Sequence, residues 1–92
     1  MSYIHITHTP GLGLKEYRKV REELGPEPIE GNRLHIVGEL DGVLHIVDVW
    51  DSAAVGDKFA AERLFPVFER LGIKPGPDAT IEAFEGEVTN RG

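Results

Sequence analysis

Three consecutive stretches decide the fold: RLHIVGEL (residues 33–40), DG (41–42) and VLHIVDVW (43–50). The outer two are rich in β-branched and apolar residues and read as strands. Asp-Gly between such runs is a strong hairpin signal, because a type I′ turn requires positive φ at both central residues. A two-residue turn also sets register. Leu40 then stands opposite Val43, and counting back pairs Gly38 with His45, Val37 with Ile46, Ile36 with Val47, His35 with Asp48, Leu34 with Val49 and Arg33 with Trp50. Side chains alternate between the two faces. One face carries Leu34, Ile36, Gly38, Leu40, Val43, His45, Val47 and Val49 and is almost wholly aliphatic. The other carries Arg33, His35, Val37, Glu39, Leu44, Ile46, Asp48 and Trp50, and it holds the chemistry.

The rest of the chain is read outward from this hairpin. SYIHITH (2–8) reads as a strand stopped by Pro10-Gly11. Over 13–24, Leu14, Tyr17, Val20 and Leu24 recur at helical spacing among charged residues, and Gly25-Pro26 stops that helix. Ser52 is a good N-cap for a helix running to about Leu64. Pro66 lacks an N–H, so it is expected to kink that helix or restart it as a new first turn, with Gly72 as the end. Lys74-Pro75-Gly76-Pro77 reads as a stiff loop, ATIEAF (79–84) as a last strand, and VTNRG (88–92) as a frayed tail or one laid on a partner. The order β-α-β-β-α-β predicts one α+β domain over 1–92. Its ferredoxin-like βαββαβ arrangement is a four-stranded antiparallel sheet with two helices on one face. The other sheet face is left bare, which invites dimerisation.

Composition bounds the function. A chain of 92 residues has a thin core, and such chains often gain burial by oligomerising. There is no Cys, so disulfide and thiolate–zinc staples are excluded. Lys plus Arg number 10 and Asp plus Glu 16, a net charge of −6, which argues against nucleic acid and anionic membrane as partners. No apolar run is long enough to span a membrane, and MSYIHITHTP carries no basic and apolar leader pattern, so a cytoplasmic location is expected.

The opposed His35 and Asp48, with Cβ atoms about 5 Å apart, are the informative pair. A carboxylate beside an imidazole favours its charged form and selects its tautomer, as a general acid or base requires. Trp50 and Arg33 at the next pair would add a flat stacking surface and a cation, a wall suited to a small planar, oxygen-bearing ligand. The alternative stands beside it: His–Asp cross-strand pairs also serve as plain satisfied polar pairs, and a strand-end Trp also serves as core. Tyr17 reads as core with its hydroxyl at the rim, and Phe59 as core or cavity lining. His5 and His8 point to opposite faces of one strand and cannot chelate together, whereas His5 and His45 are expected to share a face. No metal site is expected.

The stretch VGELDGVLHIVDVWDSAAVGDKFAAERLFPVF resembles small bacterial proteins of the dimeric α/β-barrel superfamily, in the antibiotic-biosynthesis-monooxygenase-like group abundant in actinobacteria. The resemblance rests on Leu34-His35-Ile36-Val37, Val49-Trp50-Asp51-Ser52, Phe59 and Arg63-Leu64-Phe65-Pro66-Val67-Phe68, and covers about residues 33–72. It implies a homodimer in which two sheets meet as a barrel, with a ligand cavity in each protomer and the strand-end Trp, here Trp50, pointing into it. It further implies a small-molecule ligand. Some relatives oxidise aromatic polyketides with oxygen and no metal or flavin, others degrade haem, and many have no assigned activity. The chain departs from the quinone-forming members at Ile46, where those have Asn. Two readings follow. In the first, a cofactor-independent monooxygenase-like enzyme uses His35 and Asp48 to move a proton, Trp50 to stack an aromatic or polyketide-like substrate and Arg33 to hold an anionic oxygen, with Ile46, Phe59 and Tyr17 lining the pocket. In the second, the chain is a non-catalytic ligand-binding or structural dimer.

Overall fold

A computed structural model describes residues 1–74 and 76–89. Its elements run β1 (Ser2–Pro10), α1 (Leu14–Leu24), β2 (Asn32–Leu40), β3 (Val43–Trp50), α2 (Ala53–Phe59), a π-helical turn (Ala60–Leu64), α3 (Phe65–Leu71) and β4 (Thr80–Gly86). The four strands form one antiparallel sheet in the order β2-β3-β1-β4. This is the ferredoxin-like βαββαβ arrangement that the sequence predicts. Pro75 of the stiff loop and residues 90–92 of the tail lie outside the described residues. Among those described, no helix is long and apolar enough to cross a membrane.

The hairpin forms as its turn residues dictate. Asp41 has φ 51° and Gly42 has φ 76°, the two positive values of a type I′ turn. From that turn the register runs as counted, Leu40 with Val43 through His35 with Asp48 to Leu34 with Val49. It breaks one step later. Asn32, not Arg33, stands opposite Trp50, because a bulge between Asn32 and Leu34 makes Arg33 the extra residue. A bulged residue leaves the ladder and re-aims its side chain, so the expected Arg33–Trp50 pair does not exist.

The second helix meets the second of the Pro66 expectations: α3 starts anew with Pro66 in its first turn, and just ahead of it the helix widens, with Phe65 N–H reaching back five residues to Ala60 C=O. Proline lacks a donor and its ring collides with the carbonyl four residues earlier in a regular α-helix. One wide turn just ahead of it relieves that collision and lets a single curved rod cover the sheet. Ser52 caps this rod as predicted, its Oγ accepting from Val55 N–H at 3.3 Å. Gly72 closes it with φ 68°.

Both helical segments lie on the face carrying Leu44, Ile46, Asp48 and Trp50. Val20 of α1 and Val67 of α3 meet Leu44 and Trp50 of β3 as the buried core. Trp50 is only 3% exposed. Its five-membered ring lies so close to α2 that a Cβ on Gly56 would stand 3.3 Å from three ring atoms, so glycine there sets the helix-to-sheet distance. Among the described residues, nothing covers the opposite face. Leu34, Ile36, Leu40 and Phe84 on it are 47%, 53%, 63% and 47% exposed.

This packing predicts the cost of emptying it. Trp50→Ala should lower unfolding free energy by about 3–5 kcal/mol, the range for a large buried aromatic. Urea unfolding followed by circular dichroism measures it, and a loss below about 1 kcal/mol would contradict a closed core at this position.

Candidate functional site

The register brings His35 and Asp48 together on the helix-covered face, where His35 Nδ1 and Asp48 Oδ1 are 2.5 Å apart. Asn32, carried onto the same face by the bulge, donates its side-chain N–H to the same Oδ1 at 3.1 Å. The contact continues upward to α1: the Tyr17 hydroxyl lies 2.6 Å from His35 Nε2, with the two rings stacked at 29° and 5.7 Å between centroids. The hydrogen-bond roles follow from donor chemistry. An ionised carboxylate only accepts, so His35 Nδ1 carries the proton it donates to Asp48. Nε2 of the neutral ring then has a lone pair, and Tyr17 O–H donates to it. Asp48, His35 and Tyr17 are thus one hydrogen-bonded chain across β3, β2 and α1. The carboxylate side is half-closed and the imidazole partly open, with side chains 17% and 30% exposed.

Two contacts fix where Tyr17 sits. Glu39, four residues along β2 from His35 and on the same face, accepts the Leu14 N–H of the first turn of α1 at 3.1 Å. Glu16 accepts the Gly13 N–H at 3.1 Å, and hydrogen bonding from its own backbone N–H and from that of Gly13 holds its carboxyl below the usual range. Both carboxylates sit at the positive end of the helix. Glu39 pins the start of α1 to β2 one turn before Tyr17, and Glu16 caps that start locally. Burial raises the Tyr17 phenol above its ordinary value; the Arg21 charge opposes this and the Asp48 charge adds to it.

Other sequence-predicted residues fall elsewhere. Arg33 turns outward to Asp51, its Nε 2.5 Å from Oδ1, with both side chains about half exposed. It lines a cleft of about 420 Å³ with Met1, Ser2, Glu87 and Val88, away from His35. Trp50 is a core residue tilted at 37° against Phe59, 5.4 Å between centroids, rather than an open stacking surface. Its indole Nε1 is buried without a hydrogen-bond partner. Phe59 is covered in turn by Arg63, whose guanidinium carbon lies 5.6 Å from the ring centroid. Ile46 is half-buried on the same face, between Val37 and Thr7. A second cleft, about 340 Å³, lies on α3 between Phe65, Phe68 and Lys74. Neither cleft is lined by His35, Asp48, Tyr17 or Trp50.

The histidine expectation is also corrected. β1 pairs His5 with Asp48 and His8 with His45, so His45 shares the bare face with His8 and not with His5. Among the described residues, no three metal-ligating side chains come together. Sequence reasoning missed Asn32 and Glu39. Asn32 depends on the bulge, which alternation cannot reveal. Glu39 had a usable signal, an acidic residue inward-facing on the strand that neighbours a helix start.

No family model and no curated protein matches the sequence. Solved structures do match in shape, and those sharing the fold include antibiotic-biosynthesis-monooxygenase-like proteins. The Mycobacterium tuberculosis protein Rv0793 superposes with TM-score 0.74 at 10% identity, covering 99% of this chain and 100% of its own. A candidate antibiotic biosynthesis monooxygenase from Deinococcus radiodurans gives 0.61 at 20% identity over 99% and 98% of the two chains. Another, from Chloroflexus aurantiacus, gives 0.64 at 14% over 96% and 97%. These likenesses establish the fold.

The relay makes a spectroscopic prediction. The Asp48 charge disfavours a phenolate at Tyr17, so Asp48→Asn should move the Tyr17 titration to lower pH, read as absorbance near 295 nm with Tyr17→Phe as the blank. The raised phenol also sets a sign for stability. Protonated Tyr17 favours the folded state, so that contribution is complete below the ordinary phenol value and is lost as pH rises through the folded one. Tyr17→Phe should therefore flatten the alkaline fall in stability, and an unchanged fall would refute the assignment.

Proposed function

We propose that this protein is a homodimeric small-molecule-binding protein and a cofactor-independent, monooxygenase-like enzyme acting on an aromatic or polyketide-like substrate that carries an acidic C–H or O–H. The observation that carries the reading is the Asp48–His35–Tyr17 chain. Asp48 accepts from Nδ1 and stabilises an imidazolium, and His35 Nε2 is the base. Tyr17 occupies that nitrogen with its hydroxyl, so a substrate proton reaches His35 either by displacing the phenol or through it. Deprotonation of an enolisable aromatic leaves an electron-rich carbanion. That anion passes an electron to O₂, the radical pair closes to a C–O bond, and the peroxide takes up the proton. Loss of water then leaves a carbonyl, so that R₂CH₂ and O₂ become R₂C=O and H₂O. The protein's part is to hold the acid–base pair and to keep the anion away from bulk water. The fold likeness to candidate antibiotic biosynthesis monooxygenases supports the substrate class. The exposed aliphatic sheet face supports the homodimer.

A second reading, a non-catalytic ligand-binding or structural dimer, is favoured by one observation. Trp50 is sealed in the core, and neither cleft reaches the relay.

One experiment separates them. Oxygen uptake is measured against a panel of enolisable aromatic ketones and phenols. The enzyme reading expects turnover that His35→Gln and Tyr17→Phe each lower by about 100-fold, the scale of a lost general acid–base group. Absence of uptake with every member of the panel decides for the second reading, whereas full turnover in His35→Gln removes His35 as the base.

A further inference from the structure

The relay leaves one cluster of titratable side chains unused. On the bare face, the row that crosses the sheet from β2 to β4 is Gly38, His45, His8 and Thr80. The rows beyond it are aliphatic except at β4: Ile36, Val47, Ile6 and Glu82, then Leu34, Val49, Ile4 and Phe84. His8 and His45 are in edge-to-face contact, 4.7 Å between centroids, and Thr80 Oγ1 lies 3.4 Å from His8 Nδ1. Two neighbouring imidazoles therefore sit within a surface that is aliphatic over β1, β2 and β3 and bordered by Thr80, Glu82 and Phe84 on β4.

We propose that this face accepts a second copy of the chain only while His8 and His45 are both neutral, so that protonation of the pair releases the dimer. The proposal rests on the homodimer reading above and adds its regulation. A second copy suits the face by size and character. Four strands about 4.8 Å apart and about seven residues at about 3.4 Å each give a footprint of about 450 Å² before side-chain relief. That flat footprint is about half of the ~800 Å² that one partner contributes to a standard interface, and the relief of the side chains raises the accessible area above it. Such aliphatic patches on small chains mark association sites.

Charge decides when the surface can close. Neutral imidazoles can be buried with a Thr hydroxyl as partner. Two imidazolium groups in ring contact repel each other, and both lose hydration when a second sheet covers them. Little faces them in compensation. From β2 come Ile36, Gly38 and Leu40; from β4, Thr80 and the carboxylate of Glu82, one row away; from the chain ends nearby, Asp41 of the hairpin turn and Asp78 ahead of β4. Among the described residues, no carboxylate lies within the 4.0 Å of an ion pair with either histidine. The helices lie on the other side of the sheet. Imidazole is the side chain whose charge in general changes between pH 5 and 8, and the test spans that range.

The test is sedimentation velocity at constant ionic strength, with far-UV circular dichroism on each sample. Wild type should be dimeric at about pH 8 and should dissociate at least about tenfold more readily at about pH 5.5, since each proton that must be shed on association shifts Kd by about tenfold per pH unit. The double variant His8→Gln/His45→Gln should remain dimeric, with Kd changing less than about threefold over the same range. His45→Lys carries its charge at every pH used and should be monomeric at about pH 8, which tests the idea where acid plays no part. A wild-type dimer with constant Kd, or a His45→Lys dimer as tight as wild type, overturns the switch and leaves the homodimer standing. A wild-type monomer at about pH 8 overturns both.

Discussion

A two-residue turn with both φ values positive leaves the chain one way to fold back, and everything placed on this sheet inherits that alignment. Asp41-Gly42 sets Leu40 against Val43, and the alternation of side chains then carries the choice along both strands as far as Leu34 and Val49, where the bulge begins. A slip of β2 by one residue against β3 would bring Leu34, Ile36 and Leu40 under the helices and turn His35 away from Asp48. No other interaction in the molecule has that reach. The Trp50–Gly56 contact sets a distance between layers, and the Glu39–Leu14 hydrogen bond sets one helix end, but both presuppose the hairpin.

This explains which features were legible in the sequence and which were not. His35 and Asp48 were legible because their pairing follows from a local turn and a count. The order of elements was legible from the punctuation of Gly25-Pro26, Asp41-Gly42, Ser52 and Gly72. The count fails at Arg33, where a bulge adds a residue, and with it fail the Arg33–Trp50 pair and the notice that Asn32 supports Asp48. The pairing of β1 lay outside local reasoning altogether. Its register depends on a contact across 40 residues of chain, which is why His45 was matched to His5 and not to His8. Tyr17 was read as a rim residue from its helical position. That position says which face of α1 it occupies but not how far along β2 the helix is anchored, and the anchor is made by Glu39.

The relay divides its work between stiff and adjustable parts. His35 and Asp48 belong to neighbouring strands joined by a tight turn, so their separation is held by the sheet ladder and can change little. Tyr17 belongs to a helix that meets β2 through few contacts, with its start pinned to β2 by Glu39 and capped locally by Glu16. Small rotations of α1 about that pinned end would move the phenol without disturbing the imidazole–carboxylate pair. Under the proposed function, a base covered by a hydroxyl when empty and uncovered for substrate would be well served by this division. The strands keep the tautomer, and the helix carries the group that has to give way.

Strand parity ties the two faces together. His8 and His45 lie on the outer side of the strands whose inner side carries His5 and Asp48, three positions away on each. A dimer closing on the outer face would stiffen β1 and β3 along the segment that holds Asp48. Any gain in rigidity there reaches the His35 tautomer through a single hydrogen bond. Under the proposed dimer the two faces would therefore be coupled even though no side chain belongs to both: association that orders the outer row would lower the cost of ordering the inner one.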